Sequence, residues 1–264
     1  MESLFVTHTD SLNEDTLLTV LEFPELSDEL RSLLDENLVS VTEGEHSSSS
    51  LEDVKRRIVD LFANKQSKIL GEYSNWEMGA VAELFIHLYI KTMGLRQECM
   101  FFNLEDRSAK KGFDGYYTQG EQHWIMESKS GSIATAGITH EAKLKEALND
   151  LKEKFTGTGT SRNNPWREAY NHASHVDVRT AGAIRNYIKD LATEYTSGVF
   201  HVPAEFNVIP CATIYFEDTV FRSSKNLIEE AANSISEITY KKGIFLCVSS
   251  KSVSIFKQYL GIDV

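Results

Sequence analysis

Cysteine is scarce in this chain of 264 residues, and long apolar runs are missing altogether. The three cysteines, Cys99, Cys211 and Cys247, are odd in number and far apart, which argues against a disulfide framework and against a zinc knuckle. No run approaches the roughly 18 apolar residues that a membrane-spanning helix needs. The first residues also lack the basic and apolar regions of a secretory leader. We therefore expect a cytoplasmic protein with reduced thiols and no membrane partner.

Basic residues are also in short supply. The chain has 27 Lys and Arg against 39 Asp and Glu, a formal net charge of -12, whereas affinity for nucleic acids normally comes from an excess of basic residues. The deficit is uneven, because residues 1–70 carry 15 acids and 6 bases while residues 71–264 carry 24 acids and 21 bases. The acid excess therefore lies mainly in the N-terminal quarter.

The first 70 residues are predicted to form an acidic, mostly helical segment. Its leucines recur at a spacing compatible with helices: Leu17, Leu18, Leu21, Leu30, Leu33 and Leu34. Glu43–Ser50, which ends in four serines, is typical of a loop or hinge, and residues 51–69 again show helical spacing. We expect this segment to pack through its apolar stripes on the main domain, residues 71–264, or on a partner.

Residues 71–264 show a regular succession of helix and strand patterns. Helices are predicted over Trp76–Met93, Thr139–Phe155, Val176–Tyr195, Lys225–Ile238 and Val253–Leu260, and strands over Glu98–Leu104, Phe113–Tyr117, His123–Lys129, Phe206–Phe216 and Gly243–Ser249. Residues 157–165 have the composition of a loop. The first three strands can form an antiparallel meander, and a later strand needs a helical crossover. This order predicts an α/β three-layer sandwich with a central mixed sheet flanked by helices.

Two neighbouring strands carry residue types that suit a metal-dependent hydrolase. Asp114 lies on the first strand and Glu127-Ser128-Lys129 on the second, with a polar turn at residues 118–122 between them. Alternate side chains of a strand share a face, so Glu127 and Lys129 point the same way, and Asp114 can converge on them if the strands pair. A divalent metal prefers carboxylate oxygens and activates water. A lysine can stabilise the negative charge that develops on a phosphate.

Glu83 is a further candidate acid. It falls in the middle of the apolar helix Trp76–Met93, where a carboxylate is costly to bury unless it is paired or bound to a metal. The alternative is a polar stripe, formed with residues such as Glu77 and Lys91, that faces solvent. His87 lies on the same helix face as Glu83, and we expect it to pack or to form a hydrogen bond.

The Glu-x-Lys pattern is weak evidence by itself. It occurs again at Glu141-Ala142-Lys143, inside a predicted helix, where a solvated face is the simplest explanation. Asp114-Gly115 could be a turn dipeptide, and Glu127 with Lys129 an exposed pair on the strand surface. Aromatic residues on both sides of Asp114-Gly115 argue against the turn. The predicted helix Thr139–Phe155 contains several lysines, including Lys154 near its end. These lysines alternate with acids, which favours a solvated face.

With these residues in place, the chain resembles the PD-(D/E)XK nuclease superfamily. Asp114 matches the first acid, Glu127-Ser128-Lys129 the second acid, spacer and lysine, and Glu83 the acid often contributed by the first core helix. Phe113 stands where the motif has proline, a departure that the superfamily tolerates. The resemblance implies a restriction-endonuclease-like fold and hydrolysis of phosphodiesters with Mg²⁺, for which Mn²⁺ can substitute. It also implies metal binding by Asp114, Glu127 and Glu83, with Lys129 assisting the attacking water.

A narrower similarity involves Lys111–Gly115, Glu127–Lys129 and Phe206–Cys211, which resemble the HamA nuclease subunits of Hachiman anti-phage systems. This resemblance implies a DNA endonuclease restrained by a HamB-like superfamily 2 helicase. A partner that delivers DNA would offset the shortage of basic residues. The alternative is a catalytically inactive PD-(D/E)XK-like subunit that binds DNA or bridges proteins. The complete set of two acids and a lysine favours the enzyme.

Overall fold

A seven-stranded mixed sheet forms the centre of the computed structural model, which describes residues 6–23, 25–68, 72–101, 112–160, 163–216 and 239–262. The strands are β1 (Val6–Asn13), β2 (Thr16–Phe23), β3 (Arg96–Gln97), β4 (Gly115–Gln119), β5 (Gln122–Ser132), β6 (Asn207–Tyr215) and β7 (Lys242–Ser250). Their spatial order is β1-β2-β7-β6-β5-β4-β3. Strands β2, β7, β6 and β5 run parallel, and antiparallel strands complete both edges.

Helices cover both faces of this sheet. They are α1 (Asp28–Glu43), α2 (Leu51–Lys65), α3 (Asn75–Thr92), α4 (His140–Thr156), α5 (Pro165–Ala173), α6 (Gly182–Thr196) and α7 (Ser252–Leu260). Buried side chains of α1, α2, α3 and α7 form one apolar core with the sheet, and those of α4, α5 and α6 form a second core on the opposite face. The prediction of a three-layer α/β sandwich with a central mixed sheet is confirmed.

The N-terminal residues take part directly in the central sheet. Leu17, Leu18 and Leu21 lie in β2, so the helical interpretation of their spacing is wrong. Leu18 packs into the core beneath α4–α6 and Leu21 into the opposite core, as expected for a strand buried on both faces. Such a short apolar run fits a helix and a buried strand equally well until its neighbours are known.

Residues 1–70 and 71–264 share one sheet and contribute to both apolar cores. Strand β2 pairs with β7 along its whole length, from Thr16 opposite Gly243 to Phe23 opposite Ser250. Helices α1 and α2 were expected from the leucine spacing and from residues 51–69, and both pack against α3 in the first core. The expected packing of this segment on the main domain is therefore confirmed for its helices, and the strands make the connection closer still.

Several elements of the second part match their predictions, and others differ. Helices α3, α4 and α7 and strands β5, β6 and β7 lie within a few residues of the expected ranges, and β3-β4-β5 form the expected antiparallel meander. The strand predicted over Glu98–Leu104 is wrong for its described part, because β3 ends at Gln97; residues 102–104 lie outside the described ranges. The helix predicted over Lys225–Ile238 also lies outside them.

The region between α4 and β6 contains two helices where one was predicted. Helix α5 begins at Pro165 inside the expected loop and is capped by the side chain of Asn164, whereas α6 begins only at Gly182. Proline is favoured in the first turn of a helix, so Asn164-Pro165 is a start signal that the loop-like composition obscured. Within the described ranges, no helix combines the length and apolarity required to cross a bilayer.

Candidate active site

The hairpin of β4 and β5 brings the motif residues to one end of the sheet. Gly115 pairs with Met126 and Gln119 with Gln122, so the turn lies at Gly120-Glu121, inside the predicted range 118–122. Asp114-Gly115 is therefore the open end of the hairpin, and the turn-dipeptide interpretation is wrong. A Cβ atom on Gly115 would lie 2.7 Å from the Tyr117 ring, which explains why glycine follows the acid.

Asp114 is held in place by a backbone group of the opposite strand. Its Oδ2 accepts a hydrogen bond of 2.8 Å from the backbone N–H of Ser128. Because β4 begins one residue later, at Gly115, the carboxylate satisfies a donor at the point where the strand pairing begins. This contact fixes the Asp114 carboxylate beside the Glu127–Lys129 segment, as the strand pattern predicted.

Glu127 and Lys129 lie on the face of β5 that is covered by α4. Trp124 and Met126 belong to the core beneath α3, while Ile125 belongs to the core beneath α4, so alternation directs residues 127 and 129 towards α4. Glu127 is almost completely buried, with 2% exposure. The Lys129 ammonium lies 2.9 Å from Glu127 Oε1. The interpretation of this pair as an exposed surface pair is therefore wrong.

Helix α4 contributes two further charged side chains to the site. Lys154 Nζ lies 2.6 Å from Glu127 Oε2, and Asp150 Oδ2 lies 2.5 Å from Lys129 Nζ. The same Asp150 oxygen is 3.6 Å from Lys154 Nζ. We call Asp114, Glu127, Lys129, Asp150 and Lys154 the acid–lysine cluster.

The expected solvated position of Lys154 is wrong. Lys154 and Asp150 are one helical turn apart and each directly precedes a buried residue of the α4 stripe, Phe155 and Leu151. They therefore lie at the border of the buried face and reach β5 instead of solvent. Lys143 and Glu146 also directly precede buried residues of this stripe, so the sequence does not single out Asp150 and Lys154 from the other charged residues of α4.

Burial and charge shift the titration of the cluster strongly. Burial, together with the nearby charge of Asp114, raises the pKa of Glu127 well above its usual range, although Lys154 and Lys129 act in the opposite direction. Burial alone would lower the pKa of Lys129 and Lys154, but the neighbouring acids, Glu127 foremost and also Asp150, reverse this and raise the pKa of both. Burial likewise opposes ionisation of Asp150, but its contacts with Glu127 and the two lysines lower its pKa to about 2. Both lysines therefore stay protonated at neutral pH.

Glu83 lies in a different layer from the other predicted site residues. It is a half-buried residue of α3, on the opposite side of the sheet from α4. Burial chiefly raises the pKa of Cys211, and the charges of Asp114, Glu127 and Glu83 all add to this rise. Cys211 belongs to the core beneath α3. The structure thus brings Asp114, Glu127 and Lys129 together, while Glu83 lies in the helical layer on the other side of the sheet.

His87, one turn further along α3, has the hydrogen-bonding role that we expected. It is buried, and its Nδ1 is hydrogen-bonded to the hydroxyl of Tyr117. Tyr116, Tyr117 and Trp124 are buried as well, so the aromatic residues around the hairpin belong to the core. None of the three offers an exposed ring on which a nucleic-acid base could stack.

The donor types of the cluster suit a divalent ion. Asp114 and Glu127 offer the carboxylate oxygens that magnesium prefers, and three acids against two lysines leave the cluster formally negative when all five side chains are ionised. Within the described ranges, no three Asp, Glu, His or Cys side chains are grouped closely enough to hold a metal ion. Metal binding by Asp114, Glu127 and Glu83 therefore stays a prediction.

The family model of HamA matches residues 2–259 of the chain. The chain belongs to the HamA family. Membership connects the chain with anti-phage defence and with a partner from the same defence system. The matched range includes the whole acid–lysine cluster and also β1 and β2. No curated protein matches the chain at a significant level.

Proposed function

We propose that this HamA chain is a metal-dependent DNA endonuclease that acts with a helicase partner in anti-phage defence. The observation that carries the proposal is the meeting of Asp114, Glu127 and Lys129 at the open end of the β4–β5 hairpin. Two carboxylates beside an ammonium are costly to assemble in a half-buried position. Hydrolysis of a phosphodiester would use this arrangement, with Mg²⁺ or Mn²⁺ held by the two acids.

Each residue of the motif has a defined task in this proposal. A bound metal ion would supply Lewis acidity and a water of lowered pKa. Asp114, fixed by the Ser128 N–H, and Glu127, fixed by the strand, provide oxygen donors in set orientations. Lys129, whose ammonium group is held by Glu127 and Asp150, assists the attacking water and stabilises charge on the phosphate.

A helicase partner would compensate for the shortage of basic residues in this chain. A net charge of -12 gives the chain little attraction of its own for DNA. A partner that holds the DNA raises its concentration at the cluster without any basic surface on this chain. We therefore expect little cleavage by the isolated chain at physiological salt and strong cleavage by the complex.

A plasmid-nicking assay with Mg²⁺, performed with and without the partner helicase, tests the proposal. Glu127→Gln and Lys129→Met should each lower the nicking rate by roughly 10²-fold or more, because each removes stabilisation of the transition state. Glu141→Gln and Lys143→Met are matched controls: they change the same Glu-x-Lys spacing on α4, where the side chains pair with Lys145 and Glu146. Undiminished nicking by both site variants would refute the site.

One observation favours the non-catalytic alternative as a second candidate. Glu127 and Asp150 each contact both Lys129 and Lys154, so the four charges form a closed network that could serve only to join β5 to α4. In that case Glu127→Gln would lower thermal stability, and the wild-type complex would bind DNA without nicking it in Mg²⁺ or Mn²⁺. Metal-dependent nicking by the wild type excludes this candidate.

A further inference from the structure

We infer that Lys154 is an internal counter-ion that holds Glu127 when no metal is bound and is displaced from it when a divalent cation binds. The inference rests on the proposed function, since it assumes that Glu127 is a metal ligand. It adds a residue of α4 to the site and gives that residue a role that the Glu-x-Lys motif does not contain.

Both carboxylate oxygens of Glu127 already contact a lysine ammonium group. Its Oε1 lies 2.9 Å from Lys129 Nζ and its Oε2 lies 2.6 Å from Lys154 Nζ. The carboxylate is buried, so neither oxygen can turn to solvent to accept a further ligand. Each oxygen keeps a second lone pair, but a divalent ion bound there would lie next to an ammonium group, and the two cations would repel each other. Binding of a divalent ion to Glu127 therefore favours the departure of one of the two lysines.

Lys129 is held by more acceptors than Lys154, so Lys154 is the lysine that a metal ion would displace from Glu127. Lys129 is anchored by two acceptors, Glu127 at 2.9 Å and Asp150 at 2.5 Å. Among the residues that the structure describes, Lys154 has one close acceptor, Glu127, and moving Lys154 breaks a single short contact. Asp150 Oδ2, 3.6 Å away, and the ring of Phe113, whose centroid is 5.8 Å away, give the displaced ammonium partners within reach of its flexible stem.

The exchange has a consequence for the ions that the site accepts. Lys154 already supplies one positive charge to Glu127, so a monovalent cation in the same place brings no electrostatic gain. A divalent ion brings a second charge and can also use Asp114, whose negative charge raises the pKa of Glu127. The lysine thus keeps the buried acid neutralised in the absence of metal and reserves its oxygen for divalent ions.

Binding of Mn²⁺ alone, without DNA, measures the competition. Titration calorimetry or the electron paramagnetic resonance of free Mn²⁺ would compare the wild-type chain with three variants. Lys154→Met should bind Mn²⁺ about tenfold more tightly, because the competing charge is gone. Lys152→Met, which changes an exposed lysine of the same helix, should bind like the wild type. Glu127→Gln should lose the high-affinity site.

Mn²⁺ binding by the Glu127→Gln and Lys154→Met variants distinguishes the counter-ion role of Lys154 from the proposed metal site. Loss of binding in Glu127→Gln together with unchanged or weaker binding in Lys154→Met would overturn the counter-ion role and leave the proposed function standing. Unchanged binding in Glu127→Gln would instead show that the metal is held elsewhere, and the proposed metal site would fail with it.

A second measurement uses the wild-type chain, so it does not depend on a variant that folds. Acetylation of lysines, read by mass spectrometry with and without Mn²⁺, reports which ammonium is released. We expect Mn²⁺ to raise the acetylation of Lys154 several-fold relative to Lys152 and to leave Lys129 unchanged. Equal modification of Lys154 with and without saturating Mn²⁺ would contradict displacement, even if Lys154→Met bound the metal more tightly.

Discussion

Gly112 and Gly115 position Asp114 through the side chains that they lack. A Cβ atom on Gly112 would lie 1.9 Å from the carbonyl oxygen of Pro165, at the start of α5, and one on Gly115 would meet the Tyr117 ring. Asp114 thus enters the hairpin between two close contacts, one to another helix and one within the strand. A side chain at either position would have to push its neighbour away, and the chain on both sides of Asp114 would shift with it.

The contact of Gly112 predicts a measurable loss of stability. Gly112→Ala should lower the free energy of unfolding by about 1–3 kcal/mol, because the methyl group meets rigid backbone. Gly79→Ala is the matched control, since Gly79 lies in α3 with open space around it; it should leave stability unchanged or raise it by up to about 1 kcal/mol. Urea denaturation of both variants makes the comparison, and equal stability of the two would show that the approach to Pro165 is unimportant.

At the residue scale, the sequence predicts the strand members of the site but not the helical ones. Asp114, Glu127 and Lys129 follow from the alternation of side chains and from hairpin pairing, which are local rules. Asp150 and Lys154 depend on how α4 is rotated over the sheet, and this rotation is set by tertiary packing. A charged residue beside an apolar stripe can face solvent or a neighbouring element, and the pattern does not distinguish the two.

At the element scale, the ion pair between α3 and α7 joins two helices of the first layer. Glu77 Oε1 lies 2.7 Å from Lys257 Nζ, and both side chains are buried. The other carboxylate oxygen of Glu77 accepts hydrogen bonds from the backbone N–H groups of Ser67 and Ser74, the latter being the N-cap residue of α3. One acid therefore caps its own helix and holds a second one.

Breaking the ion pair between Glu77 and Lys257 should cause a large loss of stability. Lys257→Met leaves the Glu77 carboxylate buried and uncompensated, so we expect a loss of about 3–5 kcal/mol in the free energy of unfolding at pH 7. Lys145→Met, which breaks an exposed pair with Glu141 on α4, should cost at most about 1 kcal/mol. Denaturation curves at pH 7 decide the matter, and similar losses for the two variants would contradict the special role of the buried pair.

The same pair predicts the direction of the pH dependence. Burial alone would raise the pKa of Glu77, but Lys257 and the backbone donors lower it below its usual 4.5 in the folded chain. The stabilisation is therefore complete above about pH 4.5 and declines as the pH falls through the lower folded value. The difference between wild type and Lys257→Met should shrink accordingly when the denaturation is repeated in acid.

Element prediction from the sequence succeeded where the pattern was long and failed where it was short. Helices α3 and α4 extend over four or more turns, so their apolar stripes are unambiguous. Strand β2 is a short leucine-rich run that satisfies both periods, and its identity is decided by β7, which lies at the other end of the chain. Strand pairing over such distances is not a local property.

On the scale of the whole molecule, β2 makes the N-terminal residues part of the central sheet and its apolar cores. Deletion of residues 1–23 would leave β7, a buried strand, without one of its two neighbours. We expect this deletion, and likewise the fragment 71–264, to give insoluble protein without a cooperative thermal transition. Deletion of residues 1–13 removes only the edge strand β1 and should give a folded protein of lower stability. Cooperative unfolding of the fragment 71–264 would contradict this view.

The pairing of β2 with β7 also has a bearing on how the protein is made. Strands β2 and β7 are separated by most of the described sequence, so β2 cannot find its neighbour in the sheet until β7 has been synthesised. A polypeptide from interrupted synthesis would contain Asp114, Glu127 and both lysines but not the completed sheet that supports them. The sheet that supports the acid–lysine cluster is therefore completed by strands that lie far from the cluster in the sequence.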